Sequence, residues 1–216
     1  MKKFIYLLLT ALLLVGCTQE SDSFRFKKEY ESLNGKENDK GRDYVNVQIP
    51  SENPMVYADL DTILNVIETE GIIYFGFDEC PWCRNALPVL IEAANEKEVE
   101  KIYYYDIKEI RDTLELNEDG TITTVKEKGD DYKKIYDALY DSLNVYEGLE
   151  DDTIKRLYAP TVFFIKHGKV LSMHESTVST QVDSSVPMTE QQRLELKKIY
   201  TDGIDAVNKE VCDLKC

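Results

Sequence analysis

The sequence predicts an α/β fold, a central sheet flanked by helices, on two observations. Residues 71–77, Gly-Ile-Ile-Tyr-Phe-Gly-Phe, are a nearly continuous apolar run, the pattern of a central strand covered on both faces. A helix candidate over 84–96 follows, burying Leu87, Leu90, Ile91 and Ala94, and residues 101–107 then return as a second apolar strand. Strand, helix, strand with a right-handed crossover makes two parallel neighbours. A site on such a sheet lies at the carboxyl end of the 71–77 strand, where open α/β sheets hold their ligands.

The chain has 216 residues and 43% hydrophobic content, enough for one domain with appendages and a proper core. Its first residues stand apart from that domain. Lys2 and Lys3 precede an apolar run over 4–15, short for a membrane span and suited to a signal-peptide core. Residues 1–16 are therefore expected to be a leader, ending in Leu14-Val15-Gly16-Cys17, which resembles a bacterial lipoprotein lipobox. That resemblance implies lipidation at Cys17 and a protein anchored to the bacterial cell membrane, facing its extracytoplasmic side. An ordinary signal peptide with an incidental cysteine is the alternative. Residues 17–43 are polar and charged and read mainly as a tether. Phe24, Phe26, Tyr30 and Leu33 recur at near-helical spacing, so a short docked helix is the other reading.

The domain proper spans 44–210. Residues 44–49 alternate and are valine-rich, which predicts a first strand ending at Pro50. Over 57–69, Leu60, Ile63, Leu64 and Ile67 make one helical face, with Asp59 and Asp61 near the positive end of the dipole. After the 101–107 strand comes an insertion, about 108–152, expected to be largely helical. Ile110 and Leu114 suggest a short helix and residues 121–126 an extended piece. Tyr132, Ile135, Tyr136, Leu139, Tyr140 and Leu143 then fall on one helical face. This tyrosine stripe is either core or a groove for partner peptides. After Val170 a strand is expected to run to about His174, 176–187 is polar and irregular, and 189–208 forms a last helix with Thr189 as N-cap. A tail over 211–216 carries Cys212 and Cys216.

Chemistry concentrates at Cys80-Pro81-Trp82-Cys83, where the 71–77 strand hands over to the following helix. Two thiols at this spacing close a small disulfide ring. First-turn N–H groups and the helix dipole stabilise a thiolate on the first, which makes Cys80 the nucleophile. Cys83, one turn further in and more enclosed, attacks a mixed disulfide on Cys80 and resolves it. The same spacing also serves as half of a zinc site, which needs two further ligands. The candidates are His167, His174, Cys212 and Cys216. A purely structural bridge is a third reading, although so short a loop stabilises little.

The surroundings resemble the thioredoxin superfamily over roughly residues 45–207, apart from the insertion. Pro88 lies five residues after Cys83, where thioredoxins carry the proline of the active-site helix. Arg156-Leu157-Tyr158-Ala159-Pro160-Thr161, leading into a strand, a tight turn at His167-Gly168 and another strand, is similar to the cis-proline segment. The resemblance implies a thioredoxin-like fold with a mixed sheet, the insertion lying before the cis-proline segment. It also implies a cis bond between Ala159 and Pro160, facing the thiols. Backbone groups around Ala159 would pair with an extended substrate, and Trp82, the only tryptophan, would be exposed to touch it.

One position departs from the family. Thioredoxins bury a carboxylic acid six residues before the first cysteine, and Tyr74 stands there instead. Tyrosine cannot take the Cys83 proton at neutral pH in that manner. Solvent, Glu79 or His174 are the substitutes. Asp78 and Glu79 oppose a Cys80 thiolate and Arg84 favours it.

Net charge is -15, and loss of residues 1–16 removes two lysines more. So acidic a domain repels phosphate backbones, and no basic stripe offsets this, which argues against nucleic acid. Five cysteines with one lipidated leave two pairs, in a compartment where disulfides persist. Cys212 and Cys216 then form a tail disulfide, a staple or a second redox pair. The expected function is a membrane-anchored thiol–disulfide oxidoreductase acting on protein thiols or disulfides. No cofactor is called for, and the partner is a membrane or extracytoplasmic electron carrier met by a monomer. The alternative is a redox-inert binding lipoprotein with a permanently closed Cys80–Cys83 bridge.

Overall fold

The computed structural model describes residues 20–209. Cys17, Cys212 and Cys216, with the leader and tail assigned to them, lie outside the described residues. The central sheet runs in the order β1 (Met55–Tyr57), β3 (Ile102–Asp106), β2 (Gly71–Gly76), β8 (Thr161–Lys166) and β9 (Lys169–Glu175). β1, β3 and β2 are parallel, and β8 and β9 join antiparallel. This mixed sheet, its flanking helices and a cis Ala159–Pro160 bond make the fold thioredoxin-like, as expected.

Alternation along the strands decides what covers each face. Ile72, Tyr74, Tyr104, Val162 and Phe164 point to a core shared with α1 (Asp22–Glu31), α3 (Pro81–Glu96) and α5 (Glu190–Asn208). Ile73, Phe75, Phe163 and Ile165 point the other way, onto α2 (Leu60–Glu68) and α4 (Asp130–Leu139). β2 is therefore buried on both faces, which is why its sequence is apolar throughout. Side chains set the helix starts. Asp59 Oδ1 accepts from the Thr62 N–H at 2.9 Å, and Thr189 with Gln192 forms a capping box at α5. At the β8–β9 turn, His167 and Gly168 take φ of 52° and 66°, the left-handed pair that a two-residue hairpin requires.

Three expectations are corrected. Residues 17–43 are not mainly a tether from residue 22 onward. α1 docks there, with Phe26 and Tyr30 fully buried; an i, i+4 aromatic pair on a short helix gains more by burial than by solvation. Phe26 sits edge-on to Tyr104 at 4.9 Å between centroids. Residues 44–49 form no strand, and the sheet begins at Met55 instead. Val45, Val47 and Ile49 do point inward, but side chains hold their backbone in place of a neighbouring strand. Asn34 brackets Val47 with bonds of 2.7 and 3.0 Å, and Glu31 accepts from the Ile49 N–H at 2.8 Å. An alternating pattern reports which side is buried, not what satisfies the backbone.

The insertion is not largely helical: it holds two strand pairs beside one helix, and Leu114 belongs to a strand rather than a short helix. The insertion opens with a hairpin of β4 (Thr113–Leu116) and β5 (Ile122–Lys126). α4 then follows as read, with Tyr132, Ile135, Tyr136 and Leu139 buried against the sheet. The tyrosine stripe is core. A short pair, β6 (Asn144–Val145) with β7 (Lys155–Arg156), closes the insertion just before the cis-proline.

Candidate functional site

Cys80 is the N-cap of α3, with extended backbone (φ -69°, ψ 118°), and Pro81 occupies the first turn behind it. Pro costs nothing there, because its missing N–H has no partner inside a helix start. The Cys80 sulfur accepts from the Cys83 N–H at 3.2 Å and the thiol donates to the Ala159 carbonyl at 3.3 Å. Sulfur, helix start and cis-proline segment thus meet at one point. Cys80 and Cys83 are both free thiols. Cys80 keeps 4% of its surface and Cys83 none.

The two thiols are electrostatically unequal. Burial pushes Cys80 up, but hydrogen bonds from Cys83 and the Arg111 charge outweigh it, so its pKa is lowered. Cys83 is pushed well up, first by burial and then by its hydrogen bond to Cys80. A thiolate formed in this pair therefore resides on Cys80.

The cation expected to favour that thiolate was Arg84, and the structure places it elsewhere. Its guanidinium is 1% exposed and donates to the carbonyls of Val45 (2.6 Å), Tyr30 (2.8 Å) and Asp78 (3.0 Å) and to Asn34 Oδ1 (2.7 Å). It ties α1 and the 44–49 segment to the active-site helix. Arg111, from the insertion, takes the role at Cys80, lying over the Phe77 ring at 5.4 Å. Of the acids before Cys80, Glu79 is paired with Lys108 at 2.7 Å, and burial raises Asp78. Trp82 is half-buried and packs on the core rather than standing free.

Beneath Cys83 lies Tyr74, fully buried. It shares a core with Cys83, and its hydroxyl lies 3.3 Å from the Tyr30 hydroxyl. The proposed substitutes are engaged elsewhere: Glu79 with Lys108, and His174 Nε2 with the Thr177 carbonyl at 3.0 Å. Residues 176–187, read as merely irregular, border the site. The Ser176 N–H donates to the Pro160 carbonyl at 2.8 Å, and Asn85 Nδ2 donates to the Ser184 carbonyl at 2.9 Å. Sequence reasoning missed Arg111, Asn85 and the role of Tyr30. Only Tyr30 left a signal, its helical spacing from Phe26.

Among the described residues, no group of three or more His, Cys, Asp or Glu side chains is placed to hold a metal ion. No helix among them is long and apolar enough to cross a membrane.

No family model and no curated protein matches the chain. Among solved structures it is similar to thioredoxin O2 from Arabidopsis thaliana in the oxidized state, at 15% identity and a TM-score of 0.35. The match covers 73% of this chain and 96% of that one.

Proposed function

We propose that this protein is a membrane-anchored, extracytoplasmic thiol–disulfide oxidoreductase acting on protein thiols or disulfides. The observation that carries the reading is the position of Cys80: an N-cap thiol, lowered in pKa, bonded to the carbonyl that precedes cis-Pro160. The Cys80 thiolate attacks a partner disulfide, forming a mixed disulfide and releasing one partner thiol. Cys83 then attacks Cys80, releasing the second thiol and leaving a Cys80–Cys83 disulfide. Two electrons pass from the pair to the partner, and the reverse sequence oxidises a partner dithiol. Ala159, Pro160 and Trp82 would position the partner backbone.

Lipidation at Cys17 supplies the anchor in this reading. Because α1 begins at Asp22, the few residues between span at most about 20 Å, which holds the domain against the bilayer. Replacing Cys83 by Ala in the full chain should trap partners as disulfides on Cys80, seen as adducts that a reductant releases. No Cys80-dependent adducts, together with no turnover of a model disulfide, would overturn the proposal.

The near-complete enclosure of Cys80 favours a second reading, a redox-inert binding protein whose bridge stays closed. Equilibration against a dithiol buffer separates the two. A catalytic pair exchanges readily, whereas a structural bridge resists reduction.

A further inference from the structure

We infer that the site takes partner cysteines flanked by acidic residues, because Arg111 and Arg156 bring two guanidinium groups without a carboxylate of their own beside Cys80. This substrate class rests on the oxidoreductase reading above and deepens it.

One arginine is stacked against each of the two segments that meet at Cys80. The Arg111 guanidinium lies over the Phe77 ring at 5.4 Å, and the Phe77 carbonyl accepts from the Cys80 N–H at 3.3 Å. Arg156 lies over the rings of Tyr146 at 4.0 Å and Tyr158 at 5.4 Å. Tyr158 adjoins Ala159, whose carbonyl accepts from the Cys80 thiol at 3.3 Å. The two cations are tied to each other as well, since Arg156 Nη2 donates at 3.1 Å to the carbonyl of Asp112, the residue after Arg111. Phe77, Arg111, Arg156, Tyr158 and Ala159 are all only half-buried, so a partner can reach them.

What the pair lacks is an anion. Carboxylates of this region are taken by lysines: Glu79 pairs with Lys108 at 2.7 Å, Glu109 with Lys126 at 3.7 Å and Asp112 with Lys128 at 3.5 Å. Among the described residues, none forms an ion pair with either arginine. Arg156 Nε is buried with no hydrogen-bond partner, and Asp112 Oδ1 is likewise unpartnered, so the two do not meet. A buried donor left in that state costs free energy that an incoming acceptor recovers. Burial and then the neighbouring Arg156 charge lower the Arg111 pKa, as two like charges held partly out of water should. A carboxylate answers both, because a guanidinium presents paired donors to its two oxygens.

Reach fits an acid close to the partner's reacting sulfur. Arg156 precedes Ala159 by three residues, at most about 10 Å of chain. A partner segment that pairs with the backbone at Ala159 brings side chains one to three positions from its cysteine within the span of these arginines. The Cys80 thiolate then attacks the partner sulfur. The Cys80–partner bond forms, the partner's own disulfide breaks, and the leaving sulfur carries off the electron pair. Both guanidinium groups stay protonated throughout. The protein as a whole favours the opposite choice, because a net charge of -15 repels acidic peptides. A preference for them has to come from a local site.

The test uses the reduced full chain and two short blocked peptides, each carrying one cysteine as a mixed disulfide with thiopyridine. One peptide has Glu on both sides of the cysteine, and its twin has Gln. Release of thiopyridone reports attack by Cys80, and each rate is divided by that of mercaptoethanol on the same peptide. The Glu peptide should react about three- to tenfold faster, and added salt should shrink the ratio. Arg111→Gln and Arg156→Gln should each lower it, toward or below one. Any change in Cys80 reactivity itself cancels, because one sulfur attacks both peptides.

A Gln peptide that reacts as fast as the Glu peptide, or faster, overturns the inference, as does a preference undiminished in either variant. Should Arg156→Gln fail to fold, Arg111→Gln decides alone. Failure of the oxidoreductase reading looks different, because neither peptide would then release thiopyridone faster than with a Cys80→Ala chain.

Discussion

Two stretches of this chain lie outside its central sheet, and they are built by opposite rules. The N-terminal wrap, residues 21–49, is fixed by a buried guanidinium whose hydrogen bonds are met. Arg84 finds four acceptors, one on α1, two on loop backbone and one on Asn34. The insertion, residues 108–156, is packed through apolar faces but leaves polar groups unmet. Asp112 Oδ1 and Arg156 Nε are buried without a hydrogen-bond partner, while Arg156 leans on the rings of Tyr146 and Tyr158. A fully satisfied buried network makes a rigid support, and a partly satisfied one marks where structure yields first. The wrap is thus tied to the first turns of the active-site helix through Arg84. The insertion acts on the attacking thiol from the side, through the charge of Arg111.

The largest expected difference lies between the buried Arg84 and the half-buried Arg156. Arg84→Ala strands three carbonyls and the Asn34 side chain in the core, and should cost about 3–5 kcal/mol. Arg156→Ala removes ring contacts and one bond to the Asp112 carbonyl, at 3.1 Å, and should cost about 1 kcal/mol. Urea unfolding of both variants checks this, and equal costs would break the distinction between the regions.

Alkaline pH sharpens the same comparison on a smaller scale. Burial holds the Tyr30 hydroxyl well above 10, whereas an unfolded chain ionises tyrosine near 10. Above that pH the unfolded state binds fewer protons than the folded one, so stability falls as pH rises. Each such tyrosine removes about 0.8 kcal/mol at pH 10.5. Tyr30→Phe should accordingly lose less stability than the unaltered protein between pH 8 and pH 10.5, by about that amount. An identical loss in both proteins would mean Tyr30 is solvated.

Smallest is the effect of the insertion on the nucleophile. The Arg111 charge lowers the Cys80 pKa from a half-buried position, so Arg111→Gln should raise it by less than about one unit. The pH dependence of Cys80 alkylation in a Cys83→Ala background measures the shift. A downward shift, or none, would remove the insertion from the site.

Local patterns were enough to read β2, β3 and the helix between them, but not the first strand, which lies at Met55–Tyr57 rather than 44–49. The apolar run at β2, the amphipathic α2 and the capping threonine of α5 each report their own structure. The meeting of Cys80 with the carbonyl before Pro160 followed from a motif resemblance, since nothing in periodicity brings residues 80 and 160 together. What stayed hidden was long-range satisfaction of polar groups. Arg84 beside a reactive cysteine looks like an activating charge. Only its four acceptors, drawn from residues 30, 34, 45 and 78, show a structural clamp. Residues 44–49 misled for the same reason, because a valine alternation looks alike whether a strand or the side chains of Asn34 and Glu31 complete the backbone. Tyr74 was seen as a departure, but its partner Tyr30 lies 44 residues away on a helix read mainly as tether.

The inequality of two neighbouring thiols carries the redox chemistry, and their separate titration tests it most directly. In the reduced full chain, alkylation resolved by mass for each cysteine should show Cys80 reacting with a midpoint below that of an ordinary cysteine. Cys83 should stay unmodified well above it. Equal midpoints for the two, or a Cys80 that reacts only when the protein unfolds, would contradict the account.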